Sequence, residues 1–317
     1  MIDNLQAGLS VVIPVYNSEG SLEPLIERLG AVLPALADAY EVILVNDGSR
    51  DKSWAVIEQL VSRHAWVRGV DLMRNYGQHN ALLCGIRLAR FATLVTMDDD
   101  LQHPPEEIGK LLAKLAEGYD VVYGTPQREQ HGLWRDLASQ MTKYVLQAAM
   151  GAEVARQISA FRVFRTDVRR AFANYDSHFV SIDVLLTWGT TRFAAIRVRH
   201  DPRTIGVSNY SFGKLVRHTF NMMTGFSTLP LQVASMLGFG FTLFGILVLV
   251  YVVGRALIQG TVVPGFAFTA SIIALFSGAQ LLALGIIGEY LARMYVRSMD
   301  RPSSTARTTI GFFDEER

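Results

Sequence analysis

"TMDDDLQHPPEE", Thr96 to Glu107, places three consecutive carboxylates between an apolar run and a double proline. Like charges in contact repel, and burying an uncompensated carboxylate costs on the order of 3 kcal/mol or more. A compensating positive charge is therefore expected beside them. A divalent cation meets that need, because Mg2+ or Mn2+ takes one or two protein carboxylates and shares the rest of its shell with a substrate phosphate. A second reading of the same residues is a solvated acidic turn at the start of a helix near Pro105, since Asp and Glu are favoured at helix N-termini. The triplet alone leaves both open.

The run that leads into the triplet, "ATLVTMD" (Ala92 to Asp98), is one of five β-branched, apolar stretches; the others are "LSVVIPVY" from Leu9, "YEVILVN" from Tyr40, "VRGVDLM" from Val67 and "DVVYG" from Asp120. Helical spacing lies between them, for example Leu22, Leu25, Ile26, Leu29 and Leu33. Strand and helix in alternation predict an α/β fold with a mostly parallel sheet covered on both faces. Ligands of such sheets sit outside the carboxyl ends of the strands. Polar clusters fall at those ends: Asn17 to Gly20, Asp47 to Asp51, "RNYGQHN" from Arg74, and the acidic triplet. Neither G-x-x-x-x-G-K-[ST] nor a G-x-G-x-x-G after a strand is present, which argues against P-loop and dinucleotide sites.

The 317 residues carry a net charge of +1, so no bulk field draws the chain to nucleic acid or anionic membrane. One cysteine, Cys84, excludes an intrachain disulfide and a Cys-rich zinc site, and it reads as core filler in a reducing compartment. His79, His103 and His131 are not at metal-ligand spacing and read as loop residues. Between His218 and Arg255, and again between Arg255 and Glu289, there is no charged side chain. Residues of about 229–254 and 264–288 each exceed the ~20 needed to cross the hydrocarbon core, and so predict two transmembrane helices in a hairpin. Lys214, Arg217, Arg293, Arg297 and Arg301 flank the outer ends while the connecting loop has Arg255 alone, which by the positive-inside rule places the N-terminal domain and the tail in the cytoplasm. The polar start "MIDNLQAGLS" shows no signal peptide. Phe212, Leu215, Val216, Thr219, Phe220 and Met223 repeat at helical spacing beside Lys214 and Arg217, predicting a basic amphipathic interface helix over 209–226. The last residues, from "STARTTIGFFDEER", read as a mobile tail.

Six elements in order, "VVIPVYNSEGSL", "VILVNDGSRDKS", "RNYGQHNALLCGI", "DDDLQHPPEEI", "VSNYSFGKL" and "GIIGEYLARMYVRSMDRP", resemble the polyprenyl-phosphate glycosyltransferases among the inverting glycosyltransferases of family 2, over nearly the entire chain. The resemblance implies a GT-A nucleotide-sugar-binding domain over 1–208, the interface helix over 209–226, the membrane hairpin within 227–291 and a cytoplasmic tail over 292–317. It implies a nucleotide-base pocket at Pro14, Tyr16, Asn17 and Glu19, with Asp47 bonding the base and Gly48 allowing backbone approach. Asp98 and Asp100 match the ends of the family's D-x-D, and Gln102 matches a further metal ligand of one branch; Asp99 stands where relatives commonly have alanine. Because side chains alternate along extended backbone, Asp98 and Asp100 face one way, and Asp99 is expected to be a solvated or helix-capping neighbour of the donor site.

The implied reaction moves one sugar from a nucleotide-sugar, preferably a UDP-sugar, to the phosphate of undecaprenyl phosphate at the inner membrane, with Mg2+ or Mn2+ as cofactor. A phosphate monoester is largely ionised at pH 7, its second pKa being ~6, so no general base is assigned. Arg128, Arg135, Ser139 and Arg203 lie where relatives contact the lipid phosphate, and the family's membrane helices make a homo-oligomer compatible with the chain. Two departures bear on these contacts: Gly124-Thr125-Pro126 replaces a glycine-serine-arginine, and Asn209 replaces a lysine. GDP-mannose as donor, a membrane-tethered metal-dependent phosphohydrolase, and a non-catalytic scaffold are the competing readings. A processive synthase is disfavoured, because the chain has no Q-x-x-R-W element and only two spans.

Overall fold

The computed structural model describes residues 5–126, 157–177, 180–201, 229–259, 265–299 and 301–312. The chain divides into two compact units, residues 1–216 with 300–317, and residues 217–299. The interface helix expected over 209–226 lies outside the described residues.

In the first unit the expected alternation is present: β1 (Gln6–Val15), α1 (Leu22–Leu36), β2 (Tyr40–Asn46), α2 (Ser53–Arg63), β3 (Val67–Leu72), α3 (Gln78–Leu88) and β4 (Phe91–Thr96). A 3-10 turn at Pro105–Glu107 then leads into α4 (Ile108–Ala116), followed by β5 (Val121–Pro126), β6 (Arg162–Arg165), α5 (Ile182–Gly189), β7 (Phe193–Val198) and, after the second unit, β8 (Ala306–Ile310). The eight strands form one sheet in the order β7-β5-β6-β4-β1-β2-β3-β8. β1 pairs in parallel with β2 and with β4, so Val11 stands between Val42 and Val95. Val11, Val12 and Ile13 are fully buried, because both faces of the central strands are covered. The α1 positions picked out by spacing, Leu22, Leu25, Ile26, Leu29 and Leu33, are all buried against that core. Successive strands run outward from β1 to β3, and the chain then returns to add β4 on the other side of β1. That reversal is a topological switch point, and it fixes where a ligand crevice opens.

Three strands depart from the expected pattern. β6 runs antiparallel between β4 and β5, and β7 pairs in parallel with β5. The third corrects the mobile tail: Ala306–Ile310 is a strand, antiparallel to β3, with Ile310 opposite Gly69. A Cβ at Gly69 would lie 2.9 Å from Ile310 Cγ1, so the glycine makes room for that side chain to pack on the core. Ile310 supplies the apolar anchor that a run of threonines did not suggest.

α3 lies close on the sheet, since a Cβ at Gly85 would come within 2.4 Å of Val12 Cγ1. This brings the N-terminus of α3 to the carboxyl edge of the strands. Beneath that edge Arg162, 2% exposed, pairs with Asp183 of α5 and donates from Nε to Thr96 Oγ1 at 3.0 Å. Tyr123 Oη also donates to Asp183 Oδ1, at 3.1 Å. The pair thus ties α5 to β4, two residues before the acidic triplet. Removing one partner of a buried ion pair strands the other, at a cost of about 3–5 kcal/mol. Asp183→Ala is expected to destabilise the first unit by that amount, read as a lowered midpoint of denaturant unfolding, whereas replacing Arg162 and Asp183 together with apolar residues should recover much of the loss.

The second unit contains α6 (Leu229–Gln259) and α7 (Phe266–Ser298). They pack through Phe241 and Phe276, whose rings meet edge-on at 5.8 Å. Leu231–Arg255 and Leu275–Ser298 are long and apolar enough to cross a membrane, with mean hydropathy of 2.4 and 1.4. Each helix runs beyond the expected apolar span, α7 continuing from residue 288 to Ser298.

Candidate active site

The carboxyl ends of β1, β2, β3 and β4 surround a cavity of about 310 Å³ lined by Pro14, Val15, Tyr16, Asp47, Asn75, Gly77, Gln78, Asp98, Asp99 and Asp100. Four carboxylates therefore share one small space, and each is held differently. Asp47 is 3% exposed and accepts the amides of Tyr76 at 2.6 Å and Gly77 at 2.9 Å. Burial pushes its carboxyl above the usual range, and the two amides oppose that shift. Asp98 Oδ1 accepts from Gln78 Nε2 at 2.6 Å, across from the first turn of α3. Asp100 Oδ1 accepts the Gln102 amide at 3.1 Å, an arrangement set up by Leu101, which takes the left-handed conformation at φ 61°. Such backbone costs a non-glycine residue about 1–2 kcal/mol and persists only where packing holds it. Here Leu101 is packed against the hydrophobic core.

Asp99 is not solvated. It lines the same cavity as Asp98 and Asp100, and the Ser18 hydroxyl and the Tyr16 backbone of the β1–α1 loop bond to it. Its Oδ2 is buried without a hydrogen-bond partner. Burial raises the Asp99 pKa to about 6, and the charge of Asp100 adds to the rise. The expected exposed or capping role is thus replaced by a link between the acidic loop and the loop after β1.

Residues 17–19 also bind backbone. Asn17 Oδ1 accepts the Arg50 amide at 2.8 Å and Glu19 Oε2 accepts the Lys52 amide at 2.8 Å, so both close the β1–α1 loop onto the loop after β2. Neither lines the cavity. Gly48, at φ 65°, lets the β3–α3 loop approach: a Cβ there would lie 2.6 Å from the Asn75 nitrogen. The Gln102 carbonyl accepts the Asp201 amide at 2.9 Å, which holds the end of β7 against the acidic loop. His103 is buried, stacks on Phe161 at 5.3 Å and meets His200 edge-on at 5.0 Å. Burial, with His200 nearby, lowers its pKa to about 4 and keeps it neutral. His79 is on α3 rather than in a loop, and its Nδ1 accepts the Ile182 amide at 3.4 Å.

The oxygen donors suit a hard cation. Among the described residues no three His, Cys, Asp or Glu converge to hold a metal, so a cation bound by Asp98 and Asp100 would need further ligands from outside that set. Residues 10–173 match the family described as "Glycosyl transferase family 2". The chain belongs to that family. This transferase is 36% identical over 297 residues to the undecaprenyl-phosphate 4-deoxy-4-formamido-L-arabinose transferase of Shewanella sediminis, covering 93% of this chain and 90% of the relative. The enzyme of that name from Pectobacterium carotovorum is 34% identical over 98% of this chain and 95% of its own length. In fold the transferase is similar to glucosyl-3-phosphoglycerate synthase from Mycobacterium tuberculosis, solved with Mn2+, uridine-diphosphate and phosphoglyceric acid, at a TM-score of 0.51 and 19% identity over 69% of this chain and 76% of that one. The sheet is that of the GT-A fold, followed by two apolar helices.

Of the expected site residues, the transferase brings Pro14, Tyr16, Asp47, Asp98, Asp99 and Asp100 to one cavity, while Asn17, Glu19 and Gly48 act on the loops around it. Arg128, Arg135, Ser139, Arg203 and His131 lie outside the described residues. Asn75 and Gly77 join the lining without having been singled out, although the polar cluster after β3 had marked their loop.

A carboxyl whose folded pKa is raised stabilises the fold only while protonated. The penalty for ionising Asp99 therefore grows as pH rises from ~3.8 and is complete above about 6, where it amounts to about 3 kcal/mol. In protein stripped of divalent cations at pH 7.5, Asp99→Asn is expected to raise the unfolding midpoint, and the advantage should shrink as pH falls toward 4. An equal midpoint at both pH values would show that Asp99 carries no such burden.

Proposed function

We propose that the transferase moves a single sugar from a nucleotide-sugar donor, a UDP-sugar, to the phosphate of undecaprenyl phosphate, inverting the anomeric centre and giving a lipid-linked sugar for envelope glycan or lipopolysaccharide modification. The observation that carries this reading is the convergence of Tyr16, Asp47, Asp98 and Asp100 on one cavity at the switch point of the sheet. Relatives at 34–36% identity named for undecaprenyl-phosphate sugar transfer support the acceptor class, and the two apolar helices suit an acceptor whose chain stays in a membrane.

Tyr16, 40% exposed at the mouth, offers a ring face on which a base can stack. Asp47 has its oxygens already engaged by two amides, so any bond it makes to a base uses a remaining lone pair and its direction is fixed by the β3–α3 loop. Asp98 and Asp100 are the residues assigned to hold Mg2+ or Mn2+, with Gln102 as a further assigned ligand. When bound, that cation neutralises charge that builds on the departing diphosphate. Without a cation the carboxylates would repel the donor, so Asp98 and Asp100 make binding of the diphosphate depend on metal. Gln78 keeps Asp98 oriented, and the Gln102 amide does the same for Asp100. Arg128, Arg135, Ser139 and Arg203 are assigned to the lipid phosphate, whose ionised oxygen attacks without a general base. The positive-inside pattern supports a cytoplasmic catalytic domain on the inner membrane.

The test is transfer by detergent-solubilised protein with undecaprenyl phosphate, Mg2+ or Mn2+, and a panel of UDP- and GDP-sugars, reading lipid-linked product by mass. One sugar joined to the lipid phosphate and lost on chelation is expected, and the panel distinguishes a UDP-sugar from GDP-mannose. Asp100→Asn should lower transfer by about 100-fold or more while the unfolding midpoint is kept. Release of free sugar without lipid product would overturn the reading in favour of a hydrolase.

A further inference from the structure

β8 meets β3 where that strand becomes the loop that lines the donor cavity. The pairing is regular from Gly69 opposite Ile310 to Asp71 opposite Thr308, and then slips so that Leu72 stands opposite Ala306. Arg307 is the extra residue of this bulge, a device that re-aims a side chain. It points to the end of β3: its guanidinium donates to the Met73 carbonyl at 3.3 Å and lies 3.6 Å from Asp71 Oδ2. The Met73 amide donates to the Thr305 carbonyl at 3.0 Å. Both backbone polar groups of Met73 are therefore taken by the C-terminal segment.

Met73 is the first residue after β3, where the loop that lines the cavity begins. After it come Asn75, Gly77 and Gln78, which line the cavity, and Tyr76 and Gly77, whose amides hold Asp47. Asp71, 6% exposed, gives its other oxygen to Asn46 Nδ2 at 2.7 Å, and Asn46 Oδ1 accepts the Ser49 amide in the loop after β2. Further along, Ser303 accepts from Arg87 of α3 at 3.2 Å and donates its amide to Asp176 at 3.2 Å. The segment that follows α7 thus holds the end of β3 and the last turn of α3.

We propose that β8, through Arg307 and Thr305, is a positioning element for the donor loop, so that affinity for the nucleoside diphosphate depends on a strand contributed by the last residues of the chain. Arg307 touches no cavity-lining residue and acts through Met73 and Asp71. The inference rests on the reading of the cavity as a nucleotide-sugar site.

The experiment measures UDP binding with Mn2+ by titration calorimetry, and separate KM values for donor and lipid, in full-length protein, in Arg307→Ala and in a chain ending at Pro302. Losing the charge-assisted bond to the Met73 carbonyl and the ion pair with Asp71 is expected to weaken UDP about tenfold in Arg307→Ala and to raise the donor KM by a similar factor. The lipid KM and the unfolding midpoint should hold nearly constant. Arg307→Lys, which keeps the charge near Asp71, should recover part of the affinity. The shortened chain should lose UDP binding and regain it on addition of a synthetic peptide of residues 303–313, which can re-form the strand on the vacated edge of β3. A lower midpoint with unchanged UDP affinity in Arg307→Ala would overturn the proposal and leave β8 as a purely structural strand. So would a shortened chain that binds UDP normally, or one that the peptide fails to restore. Failure of the full-length protein to bind UDP or any nucleotide-sugar would instead sink the functional reading on which the proposal stands.

Discussion

Repulsion among carboxylates governs the carboxyl edge of this sheet. Two like charges ~4 Å apart repel by about 4 kcal/mol at the effective dielectric of a protein surface, and Asp47, Asp98, Asp99 and Asp100 line a single cavity. Among the described residues of the cavity lining there is no Lys or Arg. The protein distributes neutral donors instead: two loop amides on Asp47, an amide side chain on Asp98, a backbone amide on Asp100. Asp99 is left to burial, which favours its protonated form. Such an edge holds its carboxylates in fixed orientations around the cavity.

Holding those donors in register requires loops that are stiff without being apolar. Each loop around the cavity is fixed by side chains from a different part of the sequence. Asn17 and Glu19 close the first loop on the second, Asp47 and Gly48 bring the second against the third, and Asp99 ties the fourth back to the first. Below them the Arg162–Asp183 pair joins α5 to β4. Buried polar links of this kind are costly when half satisfied and rigid when complete, so they specify one arrangement of loops that packing alone would leave adjustable.

What could be read from the sequence follows from where each residue's energy comes from. Apolar periodicity revealed α1 and the central strands because burial acts on single side chains at fixed spacing. Two long uncharged stretches announced their helices for the same reason. β8 escaped, since "ARTTI" is an exposed edge strand whose one apolar anchor, Ile310, is legible only beside Gly69. Asp98 and Asp100 were marked by their match to the family's D-x-D, but alternation did not separate Asp99 from them: it lines the same cavity, and its bonds to the loop after β1 are a tertiary fact. Asn17 and Glu19, which the resemblance placed in a base pocket, bond backbone of the loop after β2, because a polar side chain at a strand end serves a ligand or a neighbouring backbone equally well.

The division between the two compact units adds a last constraint. The chain leaves the sheet before α6 and returns to it only after α7, so the strand that completes the described sheet is made after both apolar helices. Until it arrives, the outer edge of β3 presents unpaired backbone groups, and Met73 has neither its donor nor its acceptor. Asp71 then has no Arg307 beside it, and the loop that carries Asn75, Gly77 and Gln78 keeps its bonds to Asp47 and Asp98 without its tie to the C-terminal segment. Completion of the loop that lines the cavity is in this way deferred to a segment that follows both apolar helices.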